Sequence, residues 1–168
     1  NAYWYGSQLS VEETRAIGRS LAAALDYVAM IKKTPIVVKD TRGFYTNRVV
    51  PPYLNEAMLM VKEGISPALI ENVSKMLGMP VGPLALVDET SLDLGKRIMD
   101  STKKELGKDY KPTGVEDLLN VMVDKLGRLG RKSGGGFYDY PADGKKSLWK
   151  GITDYFPQAK VQPSADDF

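Results

Sequence analysis

Apolar residues recur at three- and four-residue intervals along most of the chain, a spacing that predicts a mainly α protein. Over residues 10–30 the stripe is Ile17, Leu21, Leu25 and Val28, and Ser10 and Glu13 ahead of it have capping-box spacing. Thr34-Pro35 ends that helix, and the β-branched run Ile36-Val37-Val38 reads as a short buried strand. From about Phe44 to Lys62 the helical pattern returns through Val50, Leu54, Ala57, Met58 and Val61. Pro51-Pro52 inside it marks a position near a helix start or a bend, and Gly64 is a stop.

Ser66 as cap and Pro67 at the first helical position predict the next helix, striped by Ile70, Val73, Met76 and Leu77 before Gly78. Met79 to Pro83 is a rigid turn. Pro83 opens a short helix through Leu84, Leu86 and Val87, and a further helix follows from about Ser91 to Leu106. Thr113 and Glu116 again have capping-box spacing ahead of Leu118, Leu119, Met122 and Val123. Glycines then break the pattern before a short aromatic run, Phe137 to Tyr140. Residues 147–157 read as one last small element, and the tail to Phe168 as a linker. Strand-like Tyr3-Trp4-Tyr5, a helix and the Ile36 strand together resemble the end of a βαβ unit whose other strands are missing.

Composition narrows the chemistry. The 43% hydrophobic and 26% charged residues are those of a folded domain, and a net charge of +2 argues for no nucleic-acid partner. Without cysteine there is no disulfide or thiolate metal site, and nothing opposes a cytoplasmic location. Without histidine the commonest acid–base group near neutrality is absent. No apolar run is long enough for a transmembrane segment. Neither a P-loop nor a strand followed by Gly-x-Gly-x-x-Gly occurs.

Two segments remain as candidates. Asp40 to Arg48 joins the strand to a core helix, at the strand end where α/β folds bind ligands. Gly43 permits an unusual backbone path there, and the Asn47 carboxamide can both donate and accept. Lys125 to Gly136 carries four basic residues and five glycines, suited either to a phosphate or to a solvated turn. Asp88, Glu89 and Asp93 lack calcium-loop spacing and read as caps and polar surface, with no metal expected.

The runs Thr34 to Arg48, Pro52 to Ala57, Glu63-Gly64, Gly78 to Pro83, Leu86 to Asp93 and Gly130 to Tyr140 occur in a recognisable order. Together they resemble the 3-hydroxyacyl-CoA dehydrogenase family, and the long tail suggests a multifunctional fatty-acid oxidation protein. The resemblance implies a helical C-terminal dehydrogenase domain preceded by the last helix and strand of a Rossmann-type α/β domain. Its implied boundaries are 1–39 for the tail of the NAD-binding domain, 40–145 for the helical domain and 146–168 for a linker toward a downstream domain.

In that family a Rossmann domain binds NAD and contributes a His–Glu pair, and the helical domain closes over an L-3-hydroxyacyl-CoA. By resemblance, Asn47 helps position the substrate and the catalytic histidine, and Lys132 approaches the cofactor. The implied partners are the acyl-CoA, the upstream Rossmann domain, and a second helical domain or a second copy. This chain alone is then expected to be inactive and not to bind NAD tightly. The alternatives are a non-catalytic dimerisation or docking module and a 3-hydroxybutyryl-CoA dehydrogenase fragment.

Overall fold

The computed structural model describes residues 10–41, 43–164 and 167, and these divide into two compact units, Asn1–Val49 and Val50–Phe168. Tyr3-Trp4-Tyr5 and Arg42 lie outside the described residues. In the first unit, α1 (Val11–Met30) starts at the expected capping box. Glu13 N donates to Ser10 Oγ at 3.2 Å while Ser10 N donates to Glu13 Oε2 at 2.7 Å. No residue of α1 is buried, so its stripe is an unfilled face.

The expected strand at Ile36-Val37-Val38 does not form. Residues 33–39 pair with no described strand, and Ile36 stays 63% exposed. β-branched residues favour extended backbone, but a strand needs a ladder partner, and no described residue supplies one.

The helix α2 (Thr46–Lys62) accommodates both prolines near its N-terminal end. Pro51 and Pro52 have no N–H, so the carbonyls of Asn47 and Arg48 lack their usual helical donors. The boundary between the two units, after Val49, falls beside these prolines.

In the second unit the core gathers Ala57, Met58 and Val61 of α2 with Ile70 of α3 (Pro67–Met76) and Leu84, Ala85 and Val87 of α4 (Pro83–Thr90). Leu92 of α5 (Leu92–Leu106), Val115 just ahead of α6 (Glu116–Asn120), Leu118 and Leu119 within α6, Met122, Phe137, Tyr138 and Ile152 complete it. After Asn120 the helix widens into a π-turn over Val121–Lys125. The mainly helical fold read from the sequence is what the chain adopts, with β1 (Tyr138–Asp139) and β2 (Ser147–Leu148) forming one antiparallel pair.

Two caps differ from their sequence reading. Ser66 makes no side-chain cap; its N–H is taken instead by Gln162 Oε1, 96 residues away. Thr113 and Glu116 form half a box. Glu116 Oε1 accepts from Thr113 N at 2.8 Å, but the Thr113 hydroxyl donates to the same oxygen instead of capping. Burial raises the Glu116 carboxyl, yet the N–H groups of Glu116 and Thr113 and the hydroxyls of Tyr110 and Thr113 outweigh it and hold it at about 2.

The small element read over 147–157 is present, and the tail beyond it packs back on the second unit. Ser147 pairs with Asp139, and α7 (Ile152–Tyr155) sends Ile152 into the core. Beyond it, Ala159 N and Gln162 Nε2 both donate to Gly64 O, at 2.8 and 2.9 Å. Trp149 and Phe156 supply the apolar contact that makes this docking favourable.

Between α4 and α5, Ser91 has φ 77° and ψ 127°, a left-handed backbone that a Cβ disfavours. Ser91→Gly is expected to raise the stability of the chain by about 1 kcal/mol, relief of strain exceeding the entropy glycine adds to the unfolded state. An unchanged or lower urea midpoint would show that Ser91 is not strained.

Candidate functional site

The first candidate segment lies in the first unit. Phe44 N donates to Thr41 O at 2.9 Å, and Asn47 N donates to Gly43 O at 3.2 Å. Gly43 has φ 78° and Phe44 φ 49°, two successive left-handed residues that turn the chain sharply into α2. Arg48 Nη1 reaches Thr41 Oγ1 at 3.4 Å. Asn47 sits exposed in the first turn of α2, and its side chain forms no hydrogen bond with a described residue.

The second candidate lies in the second unit, where Asp88 organises the glycine-rich loop from within. Asp88 is completely buried. Phe137 N donates to Oδ1 at 2.8 Å, and Tyr138 N and the Tyr140 hydroxyl donate to Oδ2 at 2.9 and 3.1 Å. Burial pushes this carboxyl up, while the donated bonds and the charge of Arg128 pull the other way. The sequence reading of Asp88 as a cap or surface group is therefore replaced by a core acceptor.

Asp88 also explains two of the glycines. A Cβ on Gly136 would lie 2.0 Å from Asp88 Oδ1, and one on Gly130 2.4 Å from Asp88 O. The glycine amides from Gly130 onward are occupied internally. Gly130 N and Gly135 N bond each other's carbonyls, Gly134 N bonds Arg131 O, and Gly136 N bonds Tyr138 O. These bonds and the approach of Asp88 make the glycines of this loop a packed joint.

Arg128 locks the joint from the other side. Its guanidinium donates to Gly136 O, Tyr138 O and Asp139 Oδ1 and lies 4.1 Å from the Trp149 ring centroid. A second buried carboxylate, Glu71 of α3, had no signal in the sequence. Glu71 Oε1 accepts from Leu84 N and Ala85 N at the start of α4, and Oε2 accepts from Tyr138 Oη at 2.6 Å. Burial and these two carboxylates push the Tyr138 and Tyr140 phenols up.

Lys132 stands on the 3₁₀ turn Arg131–Ser133 with its side chain half exposed. Its ammonium pairs with Asp93 Oδ1, while Arg97 Nη2 holds Asp93 Oδ2 at 2.8 Å. The Lys132 bond, aided by both positive charges, keeps the Asp93 carboxyl below its usual value. Asn47 and Lys132 belong to different units. Among the described residues no cluster of His, Cys, Asp or Glu could hold a metal, and no helix is long and apolar enough to cross a membrane.

Residues 43–140 match the family model "3-hydroxyacyl-CoA dehydrogenase, C-terminal domain". The fatty acid oxidation complex subunit alpha of Shewanella loihica is 38% identical over 151 residues, 88% of this chain and 21% of that protein. Its Vibrio cholerae counterpart is 43% identical over 120 residues, 71% of this chain and 16% of that protein. Among solved structures, the (S)-3-hydroxybutyryl-CoA dehydrogenase PaaH1 of Ralstonia eutropha is similar at 37% identity and TM-score 0.60. M. tuberculosis FadB2 gives 35% identity and 0.61; each match covers 71% of this chain and 42% of the other. The chain thus spans about a fifth of the curated relatives it matches.

Proposed function

Because the chain belongs to the 3-hydroxyacyl-CoA dehydrogenase C-terminal domain family, we propose that it forms the substrate-enclosing part of an NAD-dependent L-3-hydroxyacyl-CoA dehydrogenase. The parent is a multifunctional fatty-acid oxidation protein, and its location is cytoplasmic. The observation that carries this reading is the reach of the family match, residues 43–140, which takes in both the Asn47 turn and the Lys132 loop.

Oxidation of a 3-hydroxyacyl-CoA removes a hydride from C3 and a proton from the hydroxyl, leaving a ketone. Hydride acceptance is the chemistry NAD supplies when bound. The chain's own fit to that group is partial: Lys132 is half exposed, but the amides of the loop glycines Gly130, Gly134, Gly135 and Gly136 are already bonded. Binding of the dinucleotide therefore falls to an upstream Rossmann domain, with residues 1–39 its tail and the helical domain from residue 40 onward.

Asn47 orients the substrate and the partner domain's acid–base histidine. Its exposed carboxamide has both a donor and an acceptor to commit to that work. Lys132 contributes positive charge beside the cofactor, sharing Asp93 as its counter-ion. The isolated chain turns over nothing.

In the complete enzyme, Asn47→Ala is expected to lower kcat about a hundredfold with little change in stability. Lys132→Gln should raise the KM for NAD about tenfold while sparing kcat. Wild-type kinetics in either variant would remove that residue's role. A docking or self-association role also draws support, from the exposed Leu94 and Ile98 on α5 and Met76 and Leu77 at the end of α3. Sedimentation of the chain tests it. A 3-hydroxybutyryl-CoA preference, suggested by the PaaH1 likeness, is decided by chain-length profiling of the complete enzyme.

A further inference from the structure

We propose that a cleft beside the glycine loop, lined by Arg131, Tyr140, Pro141, Gly144 and Lys146, is an anion site that accepts a phosphoryl group. Its volume is about 460 Å³, larger than a lone phosphate and within the range of small-molecule sites. Two of its five lining residues are cations, and none is a carboxylate.

Of the two cations, Lys146 has no carboxylate partner among the described residues and Arg131 only a long one. Arg128 is held by three hydrogen bonds and a ring, Lys132 by Asp93, and Lys96 by Asp100 and Asp124. Arg131 meets a carboxylate only at 4.0 Å, from Glu89, and its side chain is 68% exposed. Lys146 has the Tyr138 ring 5.0 Å away, a contact that leaves its three N–H donors free. Although they adjoin in sequence, Arg131 and Lys132 serve different places: Lys132 pairs with Asp93, and Arg131 lines the cleft.

The frame around these groups is rigid. Ser133 Oγ accepts from Leu129 N and bonds the carbonyls of Gly130 and Gly135, which fixes the turn carrying Arg131. Tyr140 is tethered through its hydroxyl to Asp88, so its ring is a fixed wall. Lys146 directly precedes β2, which pairs with β1. A planar fork and an ammonium converging on one cavity match the several acceptor oxygens and the dianionic charge of phosphate. The Tyr140 and Pro141 walls leave room for a ring beyond the phosphoryl group, so a free phosphate and a nucleotide phosphate are the two sources of one chemistry.

The test is an NMR titration of the whole 168-residue chain with inorganic pyrophosphate and, separately, with ADP, at ionic strength held constant by sodium chloride. Saturable shifts are expected at the amides of Tyr140, Gly144 and Lys146. Arg131→Gln combined with Lys146→Gln should weaken binding at least about tenfold, and each single change should weaken it less. Because both side chains lie at the surface, the folded spectrum should persist; the single variants carry the test if the double one loses it.

Tighter binding of ADP than of pyrophosphate supports a nucleotide, and equal binding supports a bare phosphate. The proposal is overturned if no saturable shift appears by roughly 10 mM. It is equally overturned if Lys103→Gln with Lys104→Gln weakens binding as much as the cleft variants do. This outcome is independent of the dehydrogenase reading, since it requires neither catalysis nor the partner domain.

Discussion

Asp88→Ala is expected to lower the unfolding free energy of the chain by about 4 kcal/mol, read from urea melts. The loss comes from three donors left without an acceptor in the core: Phe137 N, Tyr138 N and the Tyr140 hydroxyl. A bond to a carboxylate is worth roughly 1.5–3 kcal/mol, and an unsatisfied buried N–H adds its own desolvation cost. Asp88→Asn gives the sharper result. Both carboxylate oxygens face backbone N–H groups, one each from Phe137 and Tyr138. Whichever way the amide is turned, its NH₂ meets a donor, so Asn should cost about 2–3 kcal/mol. A melt within about 0.5 kcal/mol of the wild type would mean that Asp88 does not hold the loop this way.

The same residue shows where sequence reading stops. Ser10 and Glu13 were legible because their bonds close within one helical turn, and any solvent-facing helix start would make them. Helix stripes such as Ile70 with Val73, and Leu118 with Met122, were legible because burial follows the period of the helix. Asp88 was read as a cap or surface group because an acidic residue beside Glu89 in a short helix carries no mark of its partners, which lie 49 to 52 positions away. Gln162 replaced the expected Ser66 cap from 96 residues away, and nothing local in Gln-Pro-Ser announces that contact.

The glycine loop was read by composition as a choice between phosphate binding and a solvated turn. Two of its glycines, Gly130 and Gly136, are instead required by the approach of Asp88, a reason that only tertiary packing supplies. Ile36-Val37-Val38 failed in the opposite sense: β-branched residues favour a strand, but a strand is a property of pairs, and no described residue pairs with them. Of the candidate site, Asn47 was singled out by its place in the turn and its amide, while its role and Lys132 were reached through the family resemblance. In their local settings, the turn at Gly43 was marked in the sequence, whereas the left-handed Phe44 and the ion pair of Lys132 with Asp93 were not.

Glu71→Ala is expected to cost about 4 kcal/mol, because it strips the cap from α4 and opens a void in the core. Leu84 N and Ala85 N would lose their shared acceptor, Glu71 Oε1, and Tyr138 would lose Oε2. Glu71→Gln should cost only about 1 kcal/mol, unlike the corresponding change at Asp88. Here one oxygen serves both N–H groups and the other faces a hydroxyl, which can reverse and accept from an amide. Gly82 supplies a second arm. A Cβ there would lie 2.2 Å from Glu71 Oε2, so Gly82→Ala must displace the carboxylate and its bonds. In the Glu71→Ala background that clash is gone, and the two substitutions should cost at least about 1.5 kcal/mol less together than their sum. Additive costs, or equal losses for Gln and Ala at Glu71, would show that α4 is held by its apolar face and not by this carboxylate.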